Sequence, residues 1–229
     1  MLTVAAAAKS EIKSSIYARP SSPMRPDSLP EGPLGLMGAP MRFARNAEVY
    51  GEDEPAEYLY QVMSGAVRTY RMLDDGRRQV IAFYLPGDIF GVEAGEVHLS
   101  SAEAVSDSQV LVVKRSSLMA RADHERDLAK QLWTLTVREL QRVQQHSLVL
   151  IESAEERVAG FLLEMAGRCS GSQIVELPMS RQDIADYLGL TIETVSRTFT
   201  QLVQSGAIAL ETSRRIQLRN RAALGRLNA

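Results

Sequence analysis

The spacing of apolar residues changes several times along the 229-residue chain and divides it into four parts. Residues 1–40 contain six of the nine prolines, set among serines and glycines. Because such a stretch does not sustain a helix or a strand ladder, we expect a flexible N-terminal arm with one short helix near residues 10–18.

Residues 41–122 alternate short apolar runs with turn residues, a pattern that is typical of a β-sandwich or barrel. Four of the runs predict strands, at residues 58–62, 66–70, 80–84 and 109–113. The segment Asp74-Asp75-Gly76 lies between the second and the third of these runs. It predicts a hairpin turn, since Gly76 can adopt a positive φ.

Residues 123–153 follow a helical period, and a continuous helix over residues 127–153 would be about 40 Å long. Two apolar stripes run along it: Leu128, Leu132, Leu135 and Val149 form the first, and Trp133, Val137, Leu140 and Val143 form the second. One stripe can cover the strand domain, and the other then faces the same helix of a second subunit. Burial of both stripes within one chain is the alternative. We assign the following residues to the dimer interface: Leu128, Leu132, Leu135, Arg142, His146 and Val149.

Residues 154–229 carry the pattern of a helix-turn-helix. The segment Ser180-Arg181-Gln182-Asp183 has the form of a capping box and begins a helix that ends at Leu188. Gly189 permits a sharp turn, and Thr191 can cap a second helix that continues to about Gln204. The inward face of this second helix is Val195, Phe199 and Leu202. A plain helical hairpin is the alternative interpretation.

A short hairpin follows the second helix. Residues 208–210 and 216–218 are apolar runs that can pair around a turn carrying Arg214 and Arg215. Two arginines at the tip of such a wing can contact DNA phosphates.

The second helix places an acid, Glu193, and a base, Arg197, one turn apart on its outward face. DNA carries one negative charge per roughly 1.7 Å of its axis, so a purely electrostatic DNA surface would exclude the carboxylate. A carboxylate is useful there if it accepts from cytosine N4 or orients Arg197, which can contact guanine O6 and N7. We therefore interpret the pair as a base-reading device at the start of a recognition helix.

Positive charge is concentrated in the C-terminal part of the chain. The segment from residue 180 to the last residue has seven arginines and four acidic residues, a net of +3, whereas the remainder has a net of -5. A basic C-terminal module on an acidic body fits DNA binding joined to a control domain. The single cysteine excludes a disulfide framework, and no apolar run approaches a membrane span. We expect a cytoplasmic protein without a secretory signal.

The sequence resembles the cAMP receptor protein/FNR family of bacterial transcription regulators, in its FixK-type branch, over residues 45–220. The segments that carry the resemblance are AEERVAGFLLEMAGR, LPMSRQDIADYLGLTIETVSRTFTQL, SGAI and LPGDIFG. The resemblance implies an α+β fold with an N-terminal β-roll (double-stranded β-helix), a long dimerisation helix and a C-terminal winged helix-turn-helix. The domains would then span residues 1–40, 41–122, 123–153 and 154–229.

The resemblance also implies a function: a homodimeric activator that binds palindromes of the type TTGAT-N4-ATCAA and recruits RNA polymerase to genes of low-oxygen respiration or nitrogen metabolism. The base-reading residues implied are Ile192, Glu193, Ser196 and Arg197. The backbone contacts implied are Ser180, Thr191, Thr194, Arg214 and Arg215. The residues of one hairpin loop are candidate polymerase contacts: Asp75, Arg77 and Arg78.

Departures from the family pattern bear on the signal. Cyclic-nucleotide members place an arginine where this chain has Ser100-Ser101-Ala102, and burying a phosphate without a cation is costly. The chain has no cysteine before Cys169, so an N-terminal iron–sulfur centre cannot be built. Ser180 stands where some FixK-type sequences have a cysteine. We therefore expect no cofactor, no cyclic nucleotide and effector-independent action. Because the sequence has no metal-ligand cluster, Ser/His/Asp set or phosphate loop, we also expect no enzymatic activity.

Three alternatives remain open at this stage. The first is a regulator of the same family gated by a ligand or by oxidation, for example at Cys169. The second is haem bound through His98, His124 or His146. The third is an enzyme or ligand-binding protein built on the β-roll, since fold does not fix function.

Overall fold

In the computed structural model, which describes residues 38–149, 151–168 and 173–227, eight short strands build the N-terminal domain. These strands are β1 (Gly38–Phe43), β2 (Glu48–Tyr50), β3 (Tyr58–Ser64), β4 (Val67–Met72), β5 (Arg78–Tyr84), β6 (Ile89–Phe90), β7 (Ser101–Ala104) and β8 (Ser108–Lys114). They form two antiparallel sheets, ordered β1-β8-β3-β6 and β2-β7-β4-β5. The predicted β-roll is confirmed, and the four predicted strands are β3, β4, β5 and β8.

The boundary of the N-terminal arm was predicted too late in the chain. Residues 38–40 belong to β1, where Gly38 pairs with Val113 and Pro40 with Leu111. Apolar partners on β8 bring these residues into the sheet although two of them are poor strand formers. The short helix expected near residues 10–18 lies outside the described residues.

Aromatic side chains fill the space between the two sheets. The ring of Tyr60 lies 5.2 Å from that of Tyr50 and 5.1 Å from that of Phe90, and Tyr84 lies 5.1 Å from Phe90. Small buried residues such as Ala102 complete this cluster. The interior of the roll is thus packed by the chain's own side chains.

Two helices cover the outer face of the roll: α1 (Arg115–Ala122) and α2 (Arg126–Val149). Leu118 and Leu128 insert from these helices among the outward residues Leu59, Leu111 and Val113. The 24 residues of α2 correspond to about 36 Å. This is the long helix that the sequence predicts.

The predicted helix over residues 127–153 does not reach its expected end. The helix α3 (Ala154–Arg168) begins there instead. The backbone N–H of Ser153 donates to Glu156 Oε2 at 2.6 Å, and the Glu156 N–H donates to Ser153 Oγ at 3.4 Å. This is a capping box, which starts a new helix and therefore ends the continuity of the old one.

The structure assigns the two stripes of α2 differently from the sequence prediction. Leu128 is only 1% exposed and packs on its own β-roll, so its predicted place in a dimer interface is wrong. Leu132 and Leu135 are half-buried, and the side chain of Val149 lies outside the described residues. The large apolar residues left exposed on α2 belong to the second stripe: Trp133, Leu140 and Val143.

Two further residues of the predicted interface have partners within the chain. Arg142 forms ion pairs with Asp88 at 3.5 Å and Glu139 at 3.2 Å. His146 stacks on Tyr187, with ring centroids 4.2 Å apart. Both side chains therefore have partners within their own chain, and their assignment to the dimer interface stays a prediction.

The C-terminal domain is a winged helix-turn-helix. After α3 it contains β9 (Ile174–Glu176), α4 (Arg181–Leu188), α5 (Ile192–Gln204), β10 (Ile208–Leu210), β11 (Arg215–Leu218) and α6 (Arg221–Leu227). The predicted helices and wing hairpin are confirmed, and the small sheet has the order β10-β11-β9. The sequence prediction missed β9 and α6, which are too short to show a period.

Candidate nucleic-acid interface

The first helix of the helix-turn-helix is fixed at both ends by local chemistry. Ser180 Oγ accepts from the Asp183 N–H at 3.1 Å, and Asp183 Oδ2 accepts from the Ser180 N–H at 3.0 Å. The predicted capping box is therefore present. At the other end Gly189 adopts a left-handed conformation with φ 63°, which gives the sharp turn into α5.

The second helix, α5, has a buried face and an exposed face. Val195, Phe199 and Leu202 are buried as predicted and pack against the other helices of the domain. Thr191 caps the helix by accepting from the Thr194 N–H at 3.2 Å. The exposed residues on the opposite side include Ile192, Glu193, Ser196, Arg197, Thr200 and Gln201. This is the side on which a base-reading surface was predicted.

Glu193 and Arg197 are both exposed on this face, one helical turn apart. Among the residues that the structure describes, neither has an ion-pair or side-chain hydrogen-bond partner, and they do not bond to each other. The interpretation of the two as a mutual surface ion pair therefore has no contact to support it. Their donors and acceptors remain available to an external ligand.

The predicted backbone-contacting residues fall into two groups. Ser180, Thr191 and Thr194 use their hydroxyls at the helix caps, where Thr191 Oγ1 lies 3.0 Å from Thr194 Oγ1. In the wing, Arg214 is half-exposed, and Arg215 is exposed but paired with Glu211 at 2.7 Å. An exposed ion pair of this kind is weak and can exchange its carboxylate for a phosphate.

Arg181 is a cation that the sequence reasoning did not single out. Its guanidinium carbon lies 3.2 Å from the centroid of the Phe199 ring, a cation–π contact. Burial lowers the pKa of Arg181 to about 10, so the group remains charged at neutral pH. Its Nη1 atom has no hydrogen-bond partner within the described part of the chain. This atom is buried, so the Arg181 guanidinium packs against Phe199 inside the domain.

The hairpin between β4 and β5 contains the candidate polymerase contacts, and one of them is wrong. Asp75 and Arg77 are exposed at the tip, where Arg77 Nε donates to Asp75 Oδ2 at 2.8 Å. Gly76 has the predicted positive φ, 81°. Arg78 is instead directed into the molecule, where it forms ion pairs with Asp183 and Asp186 of α4. Because both acids hold it, Arg78 is not available to a polymerase.

The candidate cofactor residues are not brought together. His98 is 1% exposed and stacks on Tyr50 with ring centroids 3.6 Å apart, whereas His146 lies on α2 beside Tyr187. No group of three or more potential metal ligands is present in residues 38–149, 151–168 and 173–227. Cys169 lies outside the described residues. Within the same ranges, no helix has the length and apolarity to cross a membrane.

The chain matches two protein families, which together cover most of the described residues. Residues 156–227 match the family described as Crp-like helix-turn-helix domain, and residues 40–124 match the family described as cyclic nucleotide-binding domain. The second match covers the region of the β-roll.

Individual relatives give a finer comparison. The nitrogen fixation regulation protein FixK of Azorhizobium caulinodans is 52% identical over 202 residues, which cover 86% of this chain and 82% of that protein. The protein of the same name from Rhizobium meliloti is 42% identical over 196 residues, covering 84% and 90%. The structure of FixK2 from Bradyrhizobium japonicum superposes with a TM-score of 0.81 at 50% identity, covering 84% of this chain and 98% of that one. The chain therefore belongs to the CRP/FNR family, in the branch of the FixK proteins, and is a DNA-binding transcription regulator rather than an enzyme.

Proposed function

We propose that two copies of this chain bind a palindrome of the type TTGAT-N4-ATCAA and activate transcription of low-oxygen or nitrogen-fixation genes without a small-molecule effector. The observation that carries the proposal is the exposed face of α5, where Glu193 and Arg197 have no partner within the described residues. Groups so placed keep their full hydrogen-bonding capacity for a ligand that enters from outside.

Base reading follows from the chemistry of these side chains. The Arg197 guanidinium can donate twice to guanine O6 and N7, and the Glu193 carboxylate can accept from cytosine N4 on the opposite strand. Together they would read the G·C pair of each half-site. Ile192 and Ser196 are exposed beside them and can contact a thymine methyl group.

Binding to DNA backbone would come from both sides of α5. Helices α4 and α5 begin at the caps Ser180 and Thr191, and the partial positive charge of a helix N-terminus favours a phosphate. Arg214 and Arg215 of the wing supply cations. These contacts fix the register but do not carry sequence information.

A palindrome calls for a two-fold dimer, and the second stripe of α2 offers the surface. Trp133 is 71% exposed, and Leu140 and Val143 follow it at seven and ten residues along the same helix. A row of exposed large apolar groups on one helix is stabilised when the same helix of a second copy covers it. Leu132 and Leu135 flank this row and would contribute their half-exposed sides.

Effector independence is supported by the interior of the β-roll. Tyr50, Tyr60, Tyr84 and Phe90 occupy the space between the sheets. Ala102, in the segment that lacks a phosphate-binding arginine, is fully buried in this cluster. A cyclic nucleotide would have to displace packed aromatic rings and would meet no arginine at that segment.

One observation favours a ligand-gated regulator as the second candidate. A cavity of about 440 Å³ lies between the outer face of the roll and helices α1 and α2, with apolar walls that include Ile89, Val92, Met119 and Trp133. Its size and lining suit a small apolar molecule. In the dimer that we propose, Trp133 would contact the partner, so the same space lies beside the subunit interface.

Selection of binding sites from random DNA by the purified protein, with no added effector, tests the proposal. We expect enrichment of TTGAT-N4-ATCAA. Cyclic nucleotides, reductant and oxidant are then added in turn, and the affinity should stay the same. A tenfold rise, which corresponds to about 1.4 kcal/mol of coupling, would instead establish the gated candidate.

A further inference from the structure

We infer that Arg68 and Arg78 of the β-roll are positioning residues for DNA recognition: through Asp183 and Asp186 they hold the first helix of the helix-turn-helix on the roll and so set where the recognition helix points. The inference rests on the proposed function, because it concerns how two copies of α5 meet two half-sites. Neither arginine touches the exposed face of α5, so each acts through the acids of α4.

The contacts form one network across the domain boundary. Arg68 Nη1 donates to Asp183 Oδ1 at 3.0 Å, and Arg78 Nη2 donates to the same oxygen at 2.6 Å. Arg78 Nε also donates to Asp186 Oδ2 at 2.8 Å, and Arg68 Nη2 donates to Glu103 Oε1 at 2.7 Å. The bonded residues Arg78 and Asp183 lie 105 positions apart in the chain.

Burial makes this network selective for one arrangement. The side chains of Arg68 and Asp183 are each 6% exposed. A shift of α4 along β5 would separate charges that water cannot reach, and a buried charge without its partner is strongly unfavourable. Such pairs add little net stability compared with apolar packing, but they penalise alternative positions, and that is the property a positioning device needs.

Asp183 connects the network directly to the start of α4. Its Oδ2 atom belongs to the capping box with Ser180, while its Oδ1 atom accepts from both arginines. Burial by itself raises the pKa of this carboxyl, yet the hydrogen bonds from Ser180 and the charges of Arg68 and Arg78 hold the pKa below its ordinary value. The carboxylate is therefore charged at neutral pH and joins the cap to the roll.

A second set of contacts fixes the orientation of α4 about this point. Gln79 Nε2 donates to the Tyr187 carbonyl at 3.4 Å, and the Phe83 ring lies 5.2 Å from the Tyr187 ring. Tyr187 in turn stacks on His146 of α2. Helix α4 thus contacts both the roll and the proposed dimerisation helix. Since α5 follows α4 after the short turn at Gly189, its direction is set by the same contacts.

The consequence for a dimer is a fixed separation of the two recognition helices. One inserted base pair moves a half-site by about 3.4 Å and rotates it by about 35°. A dimer whose two helix-turn-helix domains are held firmly on their β-rolls should therefore discriminate between spacers of four and five base pairs. A dimer in which these domains move freely should bind both spacers, and its affinity for the four-base-pair spacer should be lower than that of the firm dimer.

Charge exchange between Arg78 and Asp186 gives the test, because Asp186 is not part of the capping box. The full chain is prepared as Arg78→Glu, as Asp186→Arg and as the double variant, and affinity is measured for TTGAT-N4-ATCAA and for the same half-sites with a five-base-pair spacer. The affinity ratio is the affinity for the four-base-pair spacer divided by that for the five-base-pair spacer. We expect each single variant to reduce this ratio by about fivefold, a typical size for altered coupling. In the double variant the exchanged charges at positions 78 and 186 can pair again, but the glutamate at position 78 still lies beside Asp183, so only part of the loss should be recovered.

Two further variants make the outcome decisive. Arg71→Glu is the control, because Arg71 lies on β4 like Arg68 but forms an exposed pair with Glu52, and it should keep the parent's ratio. Arg68→Lys keeps the charge but cannot hold Asp183 and Glu103 with one planar group, so it should lower the ratio while leaving the protein folded. Circular dichroism checks folding of every variant.

The possible results separate this inference from the proposed function. If the parent protein shows no preference for the palindrome, the proposed function fails. If the parent prefers the four-base-pair spacer and the folded single variants keep its ratio, the positioning role is overturned while the function stands. It is also overturned if folded Arg68→Lys keeps the parent's ratio.

Discussion

The two helices of the helix-turn-helix carry acid and base residues of the same kinds, but the structure uses them in opposite ways. On α4, Asp183 is buried and bonded to Ser180, Arg68 and Arg78. On α5, Glu193 and Arg197 are exposed and without partners in the described part of the chain. Charges paired inside the molecule hold its parts together, whereas exposed charges without a partner in the protein are available to a ligand.

Helix α2 shows the same contrast with apolar side chains. Leu128 is buried on its own β-roll, whereas Trp133, Leu140 and Val143 are exposed. Both groups lie on one helix with one period, so their chemistry does not separate them. What separates them is whether the chain itself covers them, and an uncovered row of large apolar groups indicates a partner.

The largest effect should come from placing a charge among the exposed apolar residues of α2. Leu140→Glu places a charge in the proposed dimer interface twice, and burying a leucine contributes about 1.5–3 kcal/mol, so a dimer would lose about 3–6 kcal/mol. We expect monomers by analytical ultracentrifugation and loss of binding to the palindrome. Gln141→Glu, which changes the charge of the neighbouring residue, is the control. A Leu140→Glu protein that still sediments as a dimer would mean that α2 pairs through a different face.

The next effect concerns the buried charges. Asp183→Asn leaves Arg68 and Arg78 with fewer counter-charges and should lower the free energy of unfolding by about 3 kcal/mol, near the lower end for a broken buried pair, because Glu103 and Asp186 remain. Glu193→Gln removes a carboxylate from the same motif and should change stability by less than about 0.5 kcal/mol. Urea unfolding of both variants measures the contrast. Equal losses would show that burial does not distinguish the two acids.

The exposed pair should show the reverse behaviour. Arg197→Ala should leave the unfolding free energy nearly unchanged and weaken specific DNA binding by about 1–3 kcal/mol per half-site. Arg215→Ala, as a phosphate contact, should weaken binding to all sequences alike and reduce its salt dependence. Site selection with the two variants gives the comparison. Retention of the parent's preference for the G·C pair by Arg197→Ala would remove Arg197 from the base-reading surface.

Local patterns explain what the sequence could predict. The capping box at Ser180, the cap at Thr191 and the exposed position of Arg197 follow from neighbours within four residues. The end of α2 could also have been predicted, since Ser153 and Glu156 stand at capping-box spacing. No proline or glycine marks the break, so this spacing is its main local signal.

Contacts between distant segments explain what the sequence could not predict. Periodicity shows that α2 has two apolar stripes, but the choice of Leu128 for the roll depends on residues such as Leu59 and Leu111. Arg78 follows a turn and resembles a loop residue, yet Asp183 and Asp186 pair with it from more than 100 positions away. Local spacing contains no information about such partners, so Leu128 and Arg78 are the residues whose predicted roles the structure changes.

The smallest effect should be a pH dependence of the unfolding free energy that comes from the contact between α2 and α4. His146 is half-buried against Tyr187, and burial lowers its pKa. The unfolded chain, with an ordinary histidine pKa of about 6.5, then binds more protons than the folded one as the pH falls. The unfolding free energy should therefore decrease as the pH drops through this value and level off below the folded pKa.

His146→Phe keeps a ring on Tyr187 without a titrating group. It should therefore reduce the slope of unfolding free energy against pH between pH 7 and pH 5, roughly the range around the histidine pKa. His98 is also buried and has a lowered pKa, so it contributes to the slope in both proteins. The measurement that isolates His146 is therefore the difference in slope between the parent and the variant. His124→Gln, at an exposed position, is the control and should follow the parent. If His146→Phe kept the parent's slope, the contact between α2 and α4 would not respond to pH, and His146 would be only a packing residue.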